Sequence, residues 1–336
     1  MTYVPYWLTF LLIIIIVIIV ISIIVYYYKS RANNLDSVIE TPPPEEVTVQ
    51  DGALGNLLVN YFAVIAWYFT YELDANVKIR YVNDVPINCL DHLPTKIPYN
   101  PQIHQNLLQV PKIRKKLSNH HYRVSDWSYN RGILKTMAPL IVEVAKPFIN
   151  DRTPTDVNPD ADVVIHFRCG DSPANRLVEY VLQRFKWYKL ALEEAAKQLN
   201  KRISDLSVLI ISCSNWGLAL DKSKQEKLCS TIVNELISYL GDKVLGGTDK
   251  ITTRCGSVAD DFHSMMKAPC LISPGSSLSY IAALTNNNIM ITPDYLNIED
   301  KKYRDNWILL SSDDIKHKEV RNYDDIPDVI RRLKDS

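Results

Sequence analysis

Three short stretches of this chain join residue types that do chemistry to turn formers that would hold them at the end of a strand. The most informative is His166-Phe167-Arg168-Cys169-Gly170-Asp171. Alternation along a strand puts His166 and Arg168 on one face, opposite Phe167. A guanidinium placed there can grip a phosphate through two parallel hydrogen bonds, and Asp171, after a flexible glycine, can orient that arginine or accept a proton. The same spacing equally suits a buried Arg168–Asp171 ion pair with His166 satisfied in the core. A Cys169 nucleophile activated by His166 is disfavoured, because adjacent turn residues diverge and no third, orienting group follows.

The second stretch is Gly52-Ala53-Leu54-Gly55-Asn56. Its glycines permit close backbone approach just before a helix whose free N–H groups favour an anion, which makes Gly55 and Asn56 candidate donor contacts. It lacks the Lys and Ser/Thr of a Walker loop and the third glycine of a dinucleotide fingerprint, so a tight turn with Asn56 as helix cap accounts for it on its own. In the third stretch a strand ends at Ser273, a Pro274-Gly275 turn follows, and Ser276, Ser277 and Ser279 cluster at the mouth of the next helix. Hydroxyls and helix N–H groups there form a neutral cradle for a diphosphate, whereas capping alone explains one serine well and three poorly. Asp260 and Asp261 suit the acidic first turn of a helix. No D-x-D pair sits at a strand end, so metal-assisted nucleotide-sugar binding is not indicated.

The elements that must position these groups alternate between strand and helix. Val47–Val49, Leu57–Tyr71 and Val77–Val82 predict a strand, a helix and a strand. Residues 84–130 are rich in Pro, Asn and His and have weak periodicity. Ile133–Phe148 predicts a helix broken by Pro139. The turn formers of 150–159 mark the best domain boundary. Beyond it the pattern predicts strands at Val163–Phe167, Ser207–Ser212, Cys270–Ser273 and Ile289–Thr292. Helices are predicted at Leu177–Leu199, Lys224–Leu240, Asp260–Lys267, Ser277–Leu284 and Ile326–Leu333. Such alternation implies parallel sheets covered on both faces, which collect ligands at the carboxyl ends of their strands.

The 336 residues carry a formal net charge of +0, and the basic cluster Lys112, Arg114, Lys115, Lys116 is too short for a nucleic-acid stripe. Trp7 to Tyr28 holds no charged residue and as a helix reaches about 33 Å, enough to span a bilayer. Aromatic collars flank it, and no basic n-region or small-residue cleavage site accompanies it, so a membrane anchor is expected rather than a signal peptide. The expected order is a tail (1–6), the anchor (7–28), a Pro-containing stalk (29–46), an N-terminal α/β domain (47–155) and a C-terminal α/β domain (156–336). The six cysteines form no C-x-x-C pair and are expected to be mostly core thiols.

Taken together, GALGN at 52–56, HFRCGD at 166–171 and DFHSMMKAPCLISPGSSLSYIAAL from Asp261 to Leu284 resemble the fucosyltransferase superfamily, most closely its α-1,2-fucosyltransferase branch. That branch has G-x-L-G-N, H-x-R-x-G-D and D-F-x-x-M motifs, the last leading to a serine-rich turn, in this order. The resemblance implies two Rossmann-like domains facing a cleft (the GT-B arrangement), the first on the acceptor side. It also implies a GDP-sugar donor, inversion at the transferred carbon, a glycan acceptor and no obligatory metal. Carried over, Arg168 holds the donor diphosphate, His166 supports the sugar-phosphate end, and Ser276 and Ser277 contact the donor. Asp171 and Glu179 are the candidate general bases, with His166 the third candidate catalytic residue. The chain departs from the branch at Cys169, where a second arginine is usual, at Tyr280-Ile281, which replaces an aromatic pair, and at Leu57, where Gln is usual.

A membrane-anchored fucosyltransferase is the leading expectation. The alternatives are a transferase of the same fold using another nucleotide sugar, and a tethered glycan- or nucleotide-binding protein without turnover. The family resemblance implies a Golgi-type luminal orientation. Lys29 and Arg31 follow the anchor and no basic residue precedes it, however, so the charge rule places the folded region in the cytosol. No N-x-Ser/Thr acceptor occurs to mark luminal exposure.

Overall fold

The computed structural model describes residues 43–51, 54–81, 93–110, 134–144, 161–168, 182–212, 222–285, 288–294, 306–311 and 325–334. The expected anchor at 7–28 and the boundary at 150–159 lie outside them. Among the described residues no helix is long and apolar enough to cross a membrane.

The N-terminal part is the expected strand–helix–strand unit: β1 (Val47–Asp51), α1 (Leu54–Thr70) and β2 (Ala75–Tyr81), with β1 and β2 parallel. A short β3 (Lys96–Ile97) adds antiparallel to β2. From Leu57 to Phe69 every residue of α1 except Asn60 is buried. A helix apolar on all sides must be covered on all sides, and α1 is the central helix of its core. Two helices follow it in sequence. In α2 (Pro101–Leu108) the Asn100 side chain caps the first turn by accepting from Ile103 N at 3.0 Å. The residues 134–144 form α3, which runs through Pro139 instead of breaking there. Proline removes one helical hydrogen bond, but Leu134, Met137, Leu140, Ile141 and Val144 pack into the core and hold the turns on either side together.

Six parallel strands make the second sheet: β4 (Val163–His166), β5 (Val208–Ile211), β6 (Ile251–Arg254), β7 (Cys270–Ile272), β8 (Ile289–Pro293) and β9 (Trp307–Leu310). Their spatial order is β6-β5-β4-β7-β8-β9. The chain therefore winds outward from β4 in one direction, returns to its other side at β7, and winds outward again. This is a doubly wound, Rossmann-like sheet whose winding reverses between β4 and β7.

Strand alternation sends the two sets of side chains to two cores. Val163, Ile165, Phe167, Cys270, Ile272 and Ile291 face α4 (Phe185–Gln198), α5 (Lys222–Leu240) and α8 (Ile326–Lys334). Val164, Leu209, Leu271 and Met290 face α6 (Val258–Lys267), α7 (Ser277–Thr285) and also α1 and α3, so one core spans both halves of the chain. Of the helix expected from Leu177, residues 177–181 lie outside the described ones; the helix that reaches Gln198 begins at Phe185, after an extended Arg184 whose guanidinium donates to the Arg332 carbonyl at 2.5 Å and ties this stretch to α8.

The expectation of core thiols holds for Cys270, which is free and buried. Cys229 on α5 and Cys255 just after β6 are instead disulfide-bonded. The connectivity of six cysteines cannot be deduced from their spacing, which is why the sequence did not announce these bonds.

Candidate functional site

The winding reverses between β4 and β7, the place where open parallel sheets take ligands at the carboxyl ends of their strands, and two of the three chemistry-bearing stretches lie there. On β4, Phe167 is buried against Tyr188, with ring centroids 5.7 Å apart, while His166 projects to the opposite face. Burial, and then the positive charge of Arg168, push the His166 imidazole down to about 3. The charge of Arg168 thus bears on His166. A histidine held neutral in this way is a hydrogen-bonding group, and a weak proton acceptor at neutral pH.

After β7, Gly275 takes a φ of 113°, a conformation that glycine adopts freely and that turns the chain into α7. Ser276 occupies the cap position, since its carbonyl accepts the first helical bond from Tyr280 N at 3.0 Å. The serine cluster divides in two. Ser279 Oγ lies 2.5 Å from Ser273 Oγ and donates to the Ser276 carbonyl at 3.1 Å, so this hydroxyl pins the turn to the strand and is not part of a cradle. Ser276 and Ser277 remain at the helix mouth, both largely buried.

The N-terminal glycine turn meets the same place. A Cβ on Gly55 would fall 2.5 Å from Leu278 N and 2.6 Å from Ser277 Oγ, so glycine here lets the first turn of α1 abut the first turn of α7. Close packing accounts for the glycine. Asn56, expected as a cap, lies inside α1, which already begins at Leu54. Two helix N-termini are therefore side by side, and neither first turn carries an acidic residue. The neighbouring α6 differs: Asp260 and Asp261 occupy its first turn, and Ser257 caps it by accepting from Asp260 N at 3.1 Å. Paired positive dipole ends without carboxylates favour an anion between them.

One charged residue at this edge escapes the sequence reading. Arg254 ends β6, donates to Asp261 Oδ1 at 3.1 Å and Ser264 Oγ at 2.7 Å, and reaches the Asp260 carbonyl at 3.0 Å. Burial pushes the Asp261 carboxyl up to about 6, against the pull of Arg254. The signal was in plain view, because Arg254-Cys255-Gly256 repeats the Arg168-Cys169-Gly170 of β4.

The structure thus brings His166, Arg168, Ser276, Ser277 and Gly55 to one sheet edge. Asp171 and Glu179, the candidate bases, lie outside the described residues, as do Cys169 and the side chain of Asn56. Among the described residues no group of three or more His, Cys, Asp or Glu side chains is placed to hold a metal ion. Comparison of the chain with protein-family models, curated proteins and solved structures gave no match.

Proposed function

We propose that this chain is a membrane-anchored inverting glycosyltransferase that moves fucose from GDP-fucose to a glycan acceptor. The observation that carries the reading is the meeting of Arg168, a neutral His166 and two acid-free helix N-termini at the winding reversal of a parallel sheet. Within it, the six-stranded sheet is the donor half of a GT-B arrangement and the N-terminal unit is the acceptor side.

In the reaction the acceptor hydroxyl attacks the anomeric carbon from the face opposite the diphosphate. The new C–O bond forms as the bond to the phosphate oxygen breaks, and GDP leaves with the electron pair. The hydroxyl proton passes to a carboxylate, Asp171 or Glu179. Charge grows on the leaving diphosphate, where the Arg168 guanidinium and the N–H groups of α7 stabilise it, so no general acid is needed. His166, being neutral, positions the sugar-phosphate end by hydrogen bonding.

Thermal-shift screening of the folded region with GDP, UDP and their sugars tests the donor, since a ligand that binds the native state raises its melting temperature. A shift and donor hydrolysis confined to UDP-sugars would sink the fucosyl assignment in favour of a transferase with another donor. A shift without any turnover would favour the binding-protein reading.

The disulfides at Cys229 and Cys255 support the luminal orientation, because such bonds persist in oxidising compartments and are rare in the cytosol. Protease protection in sealed vesicles tests this, and digestion of the C-terminal region without detergent excludes the lumen.

A further inference from the structure

The parallel register places three polar residues side by side at the winding reversal. Ile165 pairs with Ile272 and Ile272 with Ile291. One step further along, His166, Ser273 and Thr292 form a row across β4, β7 and β8, and Ser273 N donates to the Ile291 carbonyl at 2.9 Å to continue the ladder. Strand neighbours lie about 4.8 Å apart, so His166 and Thr292 stand roughly 10 Å from each other with Ser273 between them. All three project to the face that carries Val164, Leu271 and Met290 one row below, the face covered by α7.

The members of the row differ in how they are satisfied. Ser273 has its partners in Ser279 Oγ and Gly275 N, the latter donating at 3.3 Å. His166 Nδ1 and Thr292 Oγ1 are both buried and have no hydrogen-bond partner among the described residues. Thr292 is only 1% exposed, at a strand position where the isosteric valine would bury the same volume with no orphaned hydroxyl. Buried hydroxyls without partners are rare, and a bound ligand group or an ordered water can satisfy them. The two orphaned groups flank the mouth of α7, where a ligand extending both ways from a diphosphate would meet them.

Resting on the donor reading above, we propose that this row is the floor of the donor pocket, and that Thr292 hydrogen-bonds a neutral hydroxyl or amide group of the nucleotide sugar beside its diphosphate. That group belongs either to the nucleoside or to the transferred sugar. Titration of the full chain with GDP and with GDP-fucose distinguishes the two, using Thr292→Val and, as the conservative rescue, Thr292→Ser. The expected result is about tenfold weaker binding for the valine variant and near wild-type binding for the serine variant, with the melting temperature of the valine variant unchanged or raised. Weakening of both ligands places the contact on the nucleoside, and weakening of GDP-fucose alone places it on the sugar. Wild-type affinity of the valine variant for both ligands overturns the proposal and leaves the donor reading standing. A wild-type chain that binds neither these ligands nor UDP and its sugars removes the donor reading, and this proposal with it.

Discussion

Two strands of the same sheet lead into Arg-Cys-Gly, and the two arginines stand in different surroundings. Arg254, at the end of β6, spends its donors on Asp261, Ser264 and the Asp260 carbonyl, all within the first turns of α6. Arg168, two residues beyond β4, stands at the winding reversal near a histidine held neutral. The helix N-terminus near Arg254 carries its own carboxylates, while the two that meet beside the reversal carry none. The arginine of one tripeptide thus fastens a helix, while that of the other lies at the winding reversal, where open parallel sheets take ligands. Strand order, not local sequence, makes the difference.

This contrast is open to direct attack. The largest effect is expected from Arg254→Ala, which strands the buried Asp261 carboxylate and should cost about 3–5 kcal/mol of stability in chemical denaturation. A cost below about 1 kcal/mol would remove the structural role. Arg168→Ala should lower turnover by roughly 10²–10³-fold. If product formation and GDP binding both survive that change, the site has been misplaced. Replacing the whole Arg254–Asp261 pair by Met and Leu should recover most of the stability lost in the single variant, since a buried pair and a well-packed apolar pair are of similar worth.

The smallest effect is a difference in pH dependence. In the fold His166 titrates near 3 against an ordinary 6.5, so between those values the unfolded chain holds the extra proton and stability falls as pH drops. Asp261 titrates at about 6 against 3.8, so the folded chain holds the extra proton and stability falls as pH rises through that window. The two slopes oppose each other from roughly pH 4 to 6. His166→Gln should leave a stability that declines with rising pH across this range, and Asp261→Asn one that climbs. Urea midpoints at several pH values measure this, and slopes of the same sign in both variants would defeat the assignment.

Most of the strand–helix alternation was legible because each element carries a strong apolar signal, as in Val163–His166 and Val208–Ile211, buried from both faces. β6 was not, because Ile-Thr-Thr-Arg lies at the sheet edge, partly exposed, and lacks an apolar run. α2 has its Asn-Pro start signal, but only eight residues in which to show a period. The site was legible as residue types at strand ends. Which serine pins the turn, that Arg254 meets Asp261 and that Thr292 joins the row all depend on register between strands distant in sequence, which no local pattern encodes.

The meeting of α1 with α7 has a consequence for how the molecule is assembled. Phe262, Met265, Met266, Tyr280 and Ile281 bury their side chains in the core that α1 completes. A polypeptide beginning at Val163 would keep all six strands of the larger sheet yet present that apolar strip to water. The N-terminal unit thus acts as a built-in cover for its neighbour, and separate synthesis of the two halves should yield insoluble material unless they are mixed while folding.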